Sequence, residues 1–127
     1  MKTNQHEIAA KKHFSIAQDI DKEIESESDE DKKLALMTVA AQNYFYAGTN
    51  AIEFVFSKLK TPMHSGTHEH RLRNVLNNIH LFKNNEVISL YTDVDQLRNS
   101  IAYRAVNGHK YKRMRRFAEV AMDEINE

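Results

Sequence analysis

At 127 residues, with 18 Lys or Arg, 18 Asp or Glu and no cysteine, the chain fits one domain spanning 1–127, long enough to bury roughly two-thirds of the surface its unfolded form exposes. The missing thiols exclude disulfides, thiolate zinc sites and cysteine nucleophiles, and they fit a reducing compartment, so the expected address is the cytoplasm. A net charge of zero removes any global pull toward nucleic acid.

The opening MKTNQHEIAAKKHF carries charges and no continuous apolar run, and no window approaches the ~20 apolar residues that span a bilayer. Neither a signal peptide nor a membrane span is expected. Three glycines and one proline punctuate the chain, no run alternates with period two, and apolar residues recur at three- and four-residue steps. The expected fold is all-α, a five-helix up-and-down bundle with the second helix central.

The first helix, about His6 to Glu25, carries Ala9, His13, Ile16, Ala17, Ile20 and Ile24 on one stripe. It runs into DIDKEIESESDED, a solvated acidic turn or a docking segment for a basic surface. The second helix starts after Ser28 or Asp29, where capping side chains and carboxylates meet the positive end of the dipole. It runs to about Leu59, before Pro62. Between Leu34 and Phe56 it is apolar on nearly every face, as the most buried element must be. Gly48 inside it costs about 1 kcal/mol relative to Ala unless a close approach repays it, so another helix is expected to cross there.

TPMHSGTHEH reads as a loop, with Thr67 an N-cap and Glu69 in the first turn of helix three. That helix is expected to bury Leu72, Val75, Leu76, Ile79 and Phe82. KNNE supplies a break and an Asn cap for helix four, which carries Val87, Leu90, Tyr91, Val94, Leu97 and Ile101. Asn107-Gly108 is a turn signal. Helix five then places Tyr111, Met114, Phe117, Ala118, Ala121 and Ile125 inward, and Lys110, Lys112, Arg113, Arg115 and Arg116 on or beside the wet side. Short connections favour antiparallel neighbours.

Charge is unevenly spread. Eight carboxylates and one lysine fall between Asp19 and Asp31, whereas seven Arg or Lys and no acid fall between Gln96 and Phe117. The central helix AAQNYFYAGTNAIEFVFSK, the helix-three opening HEHRLRNVL and the segment VDQLRNSIAY together resemble the HEPN superfamily. These are small helical-bundle domains found with nucleotidyltransferases, in toxin–antitoxin systems and in RNA-cleaving defence proteins. The resemblance covers roughly Leu34 to Ile125.

Arg98 and Asn99 match the arginine and adjacent polar residue of the family's signature, which in active members would stabilise charge developing on phosphate. Tyr103 stands where the signature histidine acts as acid or base, and a phenol with pKa near 10 is a poor base at neutral pH. Arg104 and His109 give a second arginine–histidine spacing, but one that runs through the Asn-Gly turn. A five-residue step on a continuous helix rotates about 140° and rises about 7.5 Å, so neither pairing shares one face unaided.

The resemblance implies a homodimer with the signature near its interface. It also implies binding of RNA or a nucleotide-bearing partner through Arg98, Asn99, Arg104, Lys110, Lys112, Arg113 and Arg116, with weak or absent ribonuclease activity. Two alternatives stay open. One is a non-catalytic interaction module that pairs with a nucleotidyltransferase, toxin or antitoxin. The other is a metal-independent ribonuclease using Arg98 with Tyr103 or His109.

Interleaved Tyr103 and Tyr111 suit stacking on bases, although Tyr111 also falls on the core stripe. His64, His68 and His70 match no specific zinc spacing, and His13 and His80 read as lone polar residues. No phosphate loop, nucleophile elbow or H-E-x-x-H is present, so no cofactor and no metal are expected.

Overall fold

The computed structural model describes residues 3–59, 68–103 and 108–126, with the side chains of residues 3, 68–70, 72 and 98–103 outside that description. Among the described residues every regular element is helical: α1 (Thr3–Ser26), α2 (Glu30–Ser57), α3 (His68–Asn77), α4 (Glu86–Tyr103) and α5 (Gly108–Met122), plus one 3-10 turn at Ile79–Leu81. The bundle expected from periodicity is the one found, and the four long helices alternate in direction. The short α3 and the 3-10 turn lie within the connection from α2 to α4.

Local chemistry sets the helix starts. Asp29 caps α2, its carboxylate accepting from the Asp31 and Lys32 amides at 2.9 and 3.3 Å, while Glu30 and Asp31 occupy the first turn, where the dipole favours acids. Glu27 accepts from the Asp29 amide at 3.0 Å, so the acidic run forms an ordered, tight corner between α1 and α2. Asn84 plays the capping role for α4, accepting from the Glu86 amide at 2.9 Å. Thr67 and Asn107 lie outside the described residues.

α2 is the hub: α1 packs along it most extensively, α5 next, and α4 against its second half. From Ala40 to Phe56 it contributes twelve buried residues. Its first turns differ from expectation. Leu34 and Val39 are exposed, and so is Tyr46 further along, because the other helices leave part of the α2 surface uncovered.

The second half of α1 keeps the expected stripe, with Ile20 and Ile24 packed on the core, and its first half adds residues beside the expected ones. His6, Ala10 and Ala17 are buried and Phe14 packs on the core, while Ala9 and Ile16 are half-buried. On α4, Val87, Tyr91 and Val94 are buried, and on α5 and the turn after it all six expected core residues are. Leu76 and Ile79 are not core: α3 ends at Asn77, and both side chains face solvent.

Gly48 is where α5 crosses α2. The ring of Phe117 lies on the glycine so closely that an added Cβ would collide with it, and Phe45 and Tyr91 flank the same ring at centroid distances of 6.3 and 5.6 Å. The close approach is made by an aromatic side chain rather than by a second backbone.

Gly48→Ala should therefore cost about 2 kcal/mol through overpacking, outweighing the ~1 kcal/mol that alanine gains in helix propensity. Urea unfolding of this variant, of Phe117→Leu and of the double variant should show the two substitutions to be non-additive.

Candidate nucleic-acid interface

The basic segment is assembled from the end of α4 and the start of α5, which run antiparallel. Arg113 pairs with Asp93 at 3.3 Å. Arg116 forks onto Glu86, with Nε to Oε1 at 3.2 Å and Nη2 to Oε2 at 2.9 Å. Contacts that advance along α5 thus retreat along α4, and that register sets the last turns of α4, bearing Arg98, Asn99 and Tyr103, level with the start of α5. The side chains of these three residues lie outside the described set, as does Arg104 entirely.

Of the α5 residues, His109 and Lys112 are exposed and Lys110 is half-buried. Arg113 and Arg116 sit one and two turns further along, committed to α4 carboxylates. Such exposed pairs add little stability in water, but they hold two guanidiniums in fixed geometry. Arg115 lies over the Tyr111 ring, 5.5 Å from its centroid. Tyr111 itself is buried among core aromatics, so its ring is unavailable for stacking on a base. Among the described residues of α5, Arg113 and Arg116 are thus balanced by α4 carboxylates, while His109 and Lys112 are open to solvent.

No protein-family model, curated protein or solved structure matches this chain. The arrangement of its own side chains is what bears on function. Among the described residues no helix is long and apolar enough to cross a membrane, and no three His, Cys, Asp or Glu converge on a metal site. His64 lies outside the described residues, and the side chains of His68 and His70 outside the described set. His80 is exposed and His13 half-buried.

The structure also contains polar ties between helices that the sequence reading did not anticipate. Glu53, 6% exposed, accepts from Arg71 Nε of α3 at 2.9 Å, and Arg71 Nη1 donates to the Tyr91 hydroxyl of α4 at 3.4 Å. Burial pushes the Tyr91 phenol up to about 12, against the lowering pull of Arg71. The ring stays neutral at physiological pH and completes a buried tie among three helices. Its only hint in the sequence is a lone acid inside the apolar run AIEFVF.

A second set links α1 to α2. His6 Nδ1 meets Asn50 Oδ1 at 3.3 Å and His13 Nδ1 meets Asn43 Oδ1 at 3.0 Å. Both asparagine amides donate to carbonyls one turn back, those of Tyr46 and Val39. Their oxygens must therefore face the rings, and each histidine carries its proton on Nδ1. Nearby, Tyr44 donates to Asp21, whose other carboxylate oxygen is buried without a partner. Burial first, and then Asp21, drive the Tyr44 phenol well above its usual range.

Breaking the buried ion pair by Arg71→Ala leaves the Glu53 carboxylate in the interior and should cost about 3 kcal/mol, read from urea midpoints. The two phenols set the alkaline limit. A folded-state pKa above the unfolded value contributes stability that is intact below pH ~10 and is lost as pH rises toward the folded pKa. Unfolding free energy should thus fall between pH ~10 and ~12 by about 1.4 kcal/mol per pH unit for each phenol. Tyr91→Phe should flatten that decline, as denaturant titrations at stepped pH would show.

Proposed function

We propose that the chain is a HEPN-like domain that acts as a homodimer and binds RNA or a nucleotide-bearing partner through the open basic end of α4 and α5, without efficient cleavage. The observation that carries this reading is the α4–α5 register. It brings the Arg98-Asn99 pair level with the start of α5, while Asp93 and Glu86 of α4 pair with Arg113 and Arg116 further along. A phosphate backbone approaching that end meets cations and backbone donors, and no acidic residue lies between Gln96 and Phe117 to repel it. Tyr103 in the histidine position is what argues against turnover, since a neutral phenol is a poor proton acceptor.

A second reading, an interaction module that pairs with a nucleotidyltransferase, toxin or antitoxin, is favoured by a different observation. Leu76 and Ile79 are 48% and 42% exposed on the α2–α4 connection, an apolar patch with no use in phosphate binding.

Fluorescence anisotropy with labelled single-stranded RNA, across salt, separates the two. On the RNA reading, affinity falls linearly in log–log form with a slope near −0.7 per phosphate neutralised. Arg98→Ala and Lys112→Ala each lower that slope by about one contact, and Arg116→Ala changes it less because Glu86 already holds that side chain. Incubation of the same RNA without added metal should leave it intact. Absence of binding at low salt would overturn the RNA reading in favour of the interaction module, and cleavage abolished by Arg98→Ala would make the domain a nuclease.

A further inference from the structure

Between the end of α1 and the first turns of α2 lies an open hollow of about 360 Å³, lined by Glu23 and Glu27 of α1 and by Lys32, Ala35, Leu36 and Val39 of α2. Its place follows from the seam between the two helices. Further along that seam His13 meets Asn43 and His6 meets Asn50, and these pairs close it. Toward the corner, carboxylates of α1 stand opposite short or aliphatic side chains of α2, and a charged group gains nothing by leaving water to pack on them. The seam there stays open.

The two walls differ in chemistry. Ala35, Leu36 and Val39 make one wall apolar, with Val39 45% exposed. The charges in the lining are two carboxylates against one cation, Lys32, and the acid excess grows beyond it. Asp19 lies one turn before Glu23 on the same face of α1, and Asp31 one turn before Ala35 on α2, both exposed. Such a field attracts cations and repels phosphate backbones and anionic lipid. The corner is also preorganised, because Glu27 holds the Asp29 amide and Asp29 holds those of Asp31 and Lys32, so docking there orders little that is not ordered already.

A helix that lays an apolar stripe into a groove of this kind, with Lys or Arg beside the stripe, satisfies both walls. The chain's own basic helix has no such stripe to offer. α5 turns Tyr111, Met114 and Phe117 into the core, and its Arg113 and Arg116 pair with Asp93 and Glu86. The occupant that fits is therefore a different protein.

We propose that the hollow between α1 and α2 is a docking groove for a basic amphipathic helix of a partner protein, its apolar side chains on Ala35, Leu36 and Val39 and its cations on Glu23 and Glu27. This surface shares no residue with the basic end of α4 and α5 and does not depend on RNA binding there.

The probe is a capped peptide helix about four turns long, with leucine on one stripe and lysine beside it, titrated into the full chain and followed by backbone amide shifts in NMR spectra. Shifts should centre on the residues that line the hollow, and affinity should fall as salt rises. Glu23→Lys should weaken binding roughly tenfold or more, because a like charge replaces an attractive one. Val39→Ser should weaken it roughly fivefold through lost apolar contact. Both side chains are exposed, and the amide spectra of the free variants check that the fold is kept. Twin peptides with glutamate for lysine, or alanine for leucine, should bind far more weakly, and spermidine, which supplies charge without an apolar stripe, should not displace the leucine–lysine peptide. No binding at low salt, equal binding by the glutamate twin, displacement by spermidine or shifts centred elsewhere would overturn the groove. Concentration-dependent shifts of the same amides without peptide would mean that a second copy fills the hollow, and would overturn it as well.

Discussion

The ring of Phe117 against Gly48 is the contact on which the bundle turns. A helix that must lie close to α2 needs a position without a side chain, and α5 uses it to bring Met114, Phe117, Ala118 and Ala121 into the interior. Tyr91 of α4 packs against the same ring, which brings α4 onto α5. α1 closes the remaining side of α2. One missing methyl group therefore governs where three long helices meet, and the cost of a glycine inside a helix is offset by packing that no other residue would permit.

Around that apolar centre the helices are tied by polar pairs rather than by more hydrophobic surface. His6 with Asn50, His13 with Asn43 and Tyr44 with Asp21 join α1 to α2. Glu53 with Arg71 joins α2 to α3, and the Glu124 carboxylate accepts from the Lys83 amide at 2.6 Å, anchoring the turn after α5 to the segment just before α4. Most of these groups are buried or half-buried, where a satisfied hydrogen bond adds modestly and an unsatisfied one costs heavily. They act as register pins, since a one-turn slip of α1 would separate both His–Asn pairs at once. Among the cations of α5, Arg113 and Arg116 are engaged with α4 carboxylates and Arg115 lies over the Tyr111 ring.

Much of this was legible in residues and some was not. The α5 stripe was read without error because Tyr111 to Ile125 keeps a helical period against a strongly basic opposite face. In α1 periodicity finds Ala17, Ile20 and Ile24 but not His6 or Ala10, since His6 looks like a solvent residue until Asn50 is seen to bond it, and Ala9 and Ala10 cannot be told apart by composition. α2 was correctly identified as central. Its apolar first turns were assigned to the interior because periodicity reports which faces are greasy and not how far the neighbouring helices extend. Leu76 and Ile79 face solvent for a similar reason, since no neighbouring helix covers the outer side of α3 and the 3-10 turn after it. For the candidate site, the sequence placed the cations and the Arg98-Asn99 pair. The acids that engage Arg113 and Arg116 lie some 20 to 30 positions away on another helix, a pairing no local spacing reveals.

The hold on α3 carries a consequence for how the molecule moves. Among its described residues this ten-residue helix buries Val75 but leaves Leu76 in solvent, and its link to α2 is electrostatic, through Arg71. Helices this short have little intrinsic stability, and segments with few apolar contacts open at lower free energy than the core around them. α3 is thus expected to open at lower free energy than the long helices, while Phe82, packed on Phe56 of α2, keeps the segment after it on the core. The opening of α3 would bare the Glu53 carboxylate that Arg71 now covers, so the exposure of that acid is set by a local opening equilibrium as well as by the resting surface.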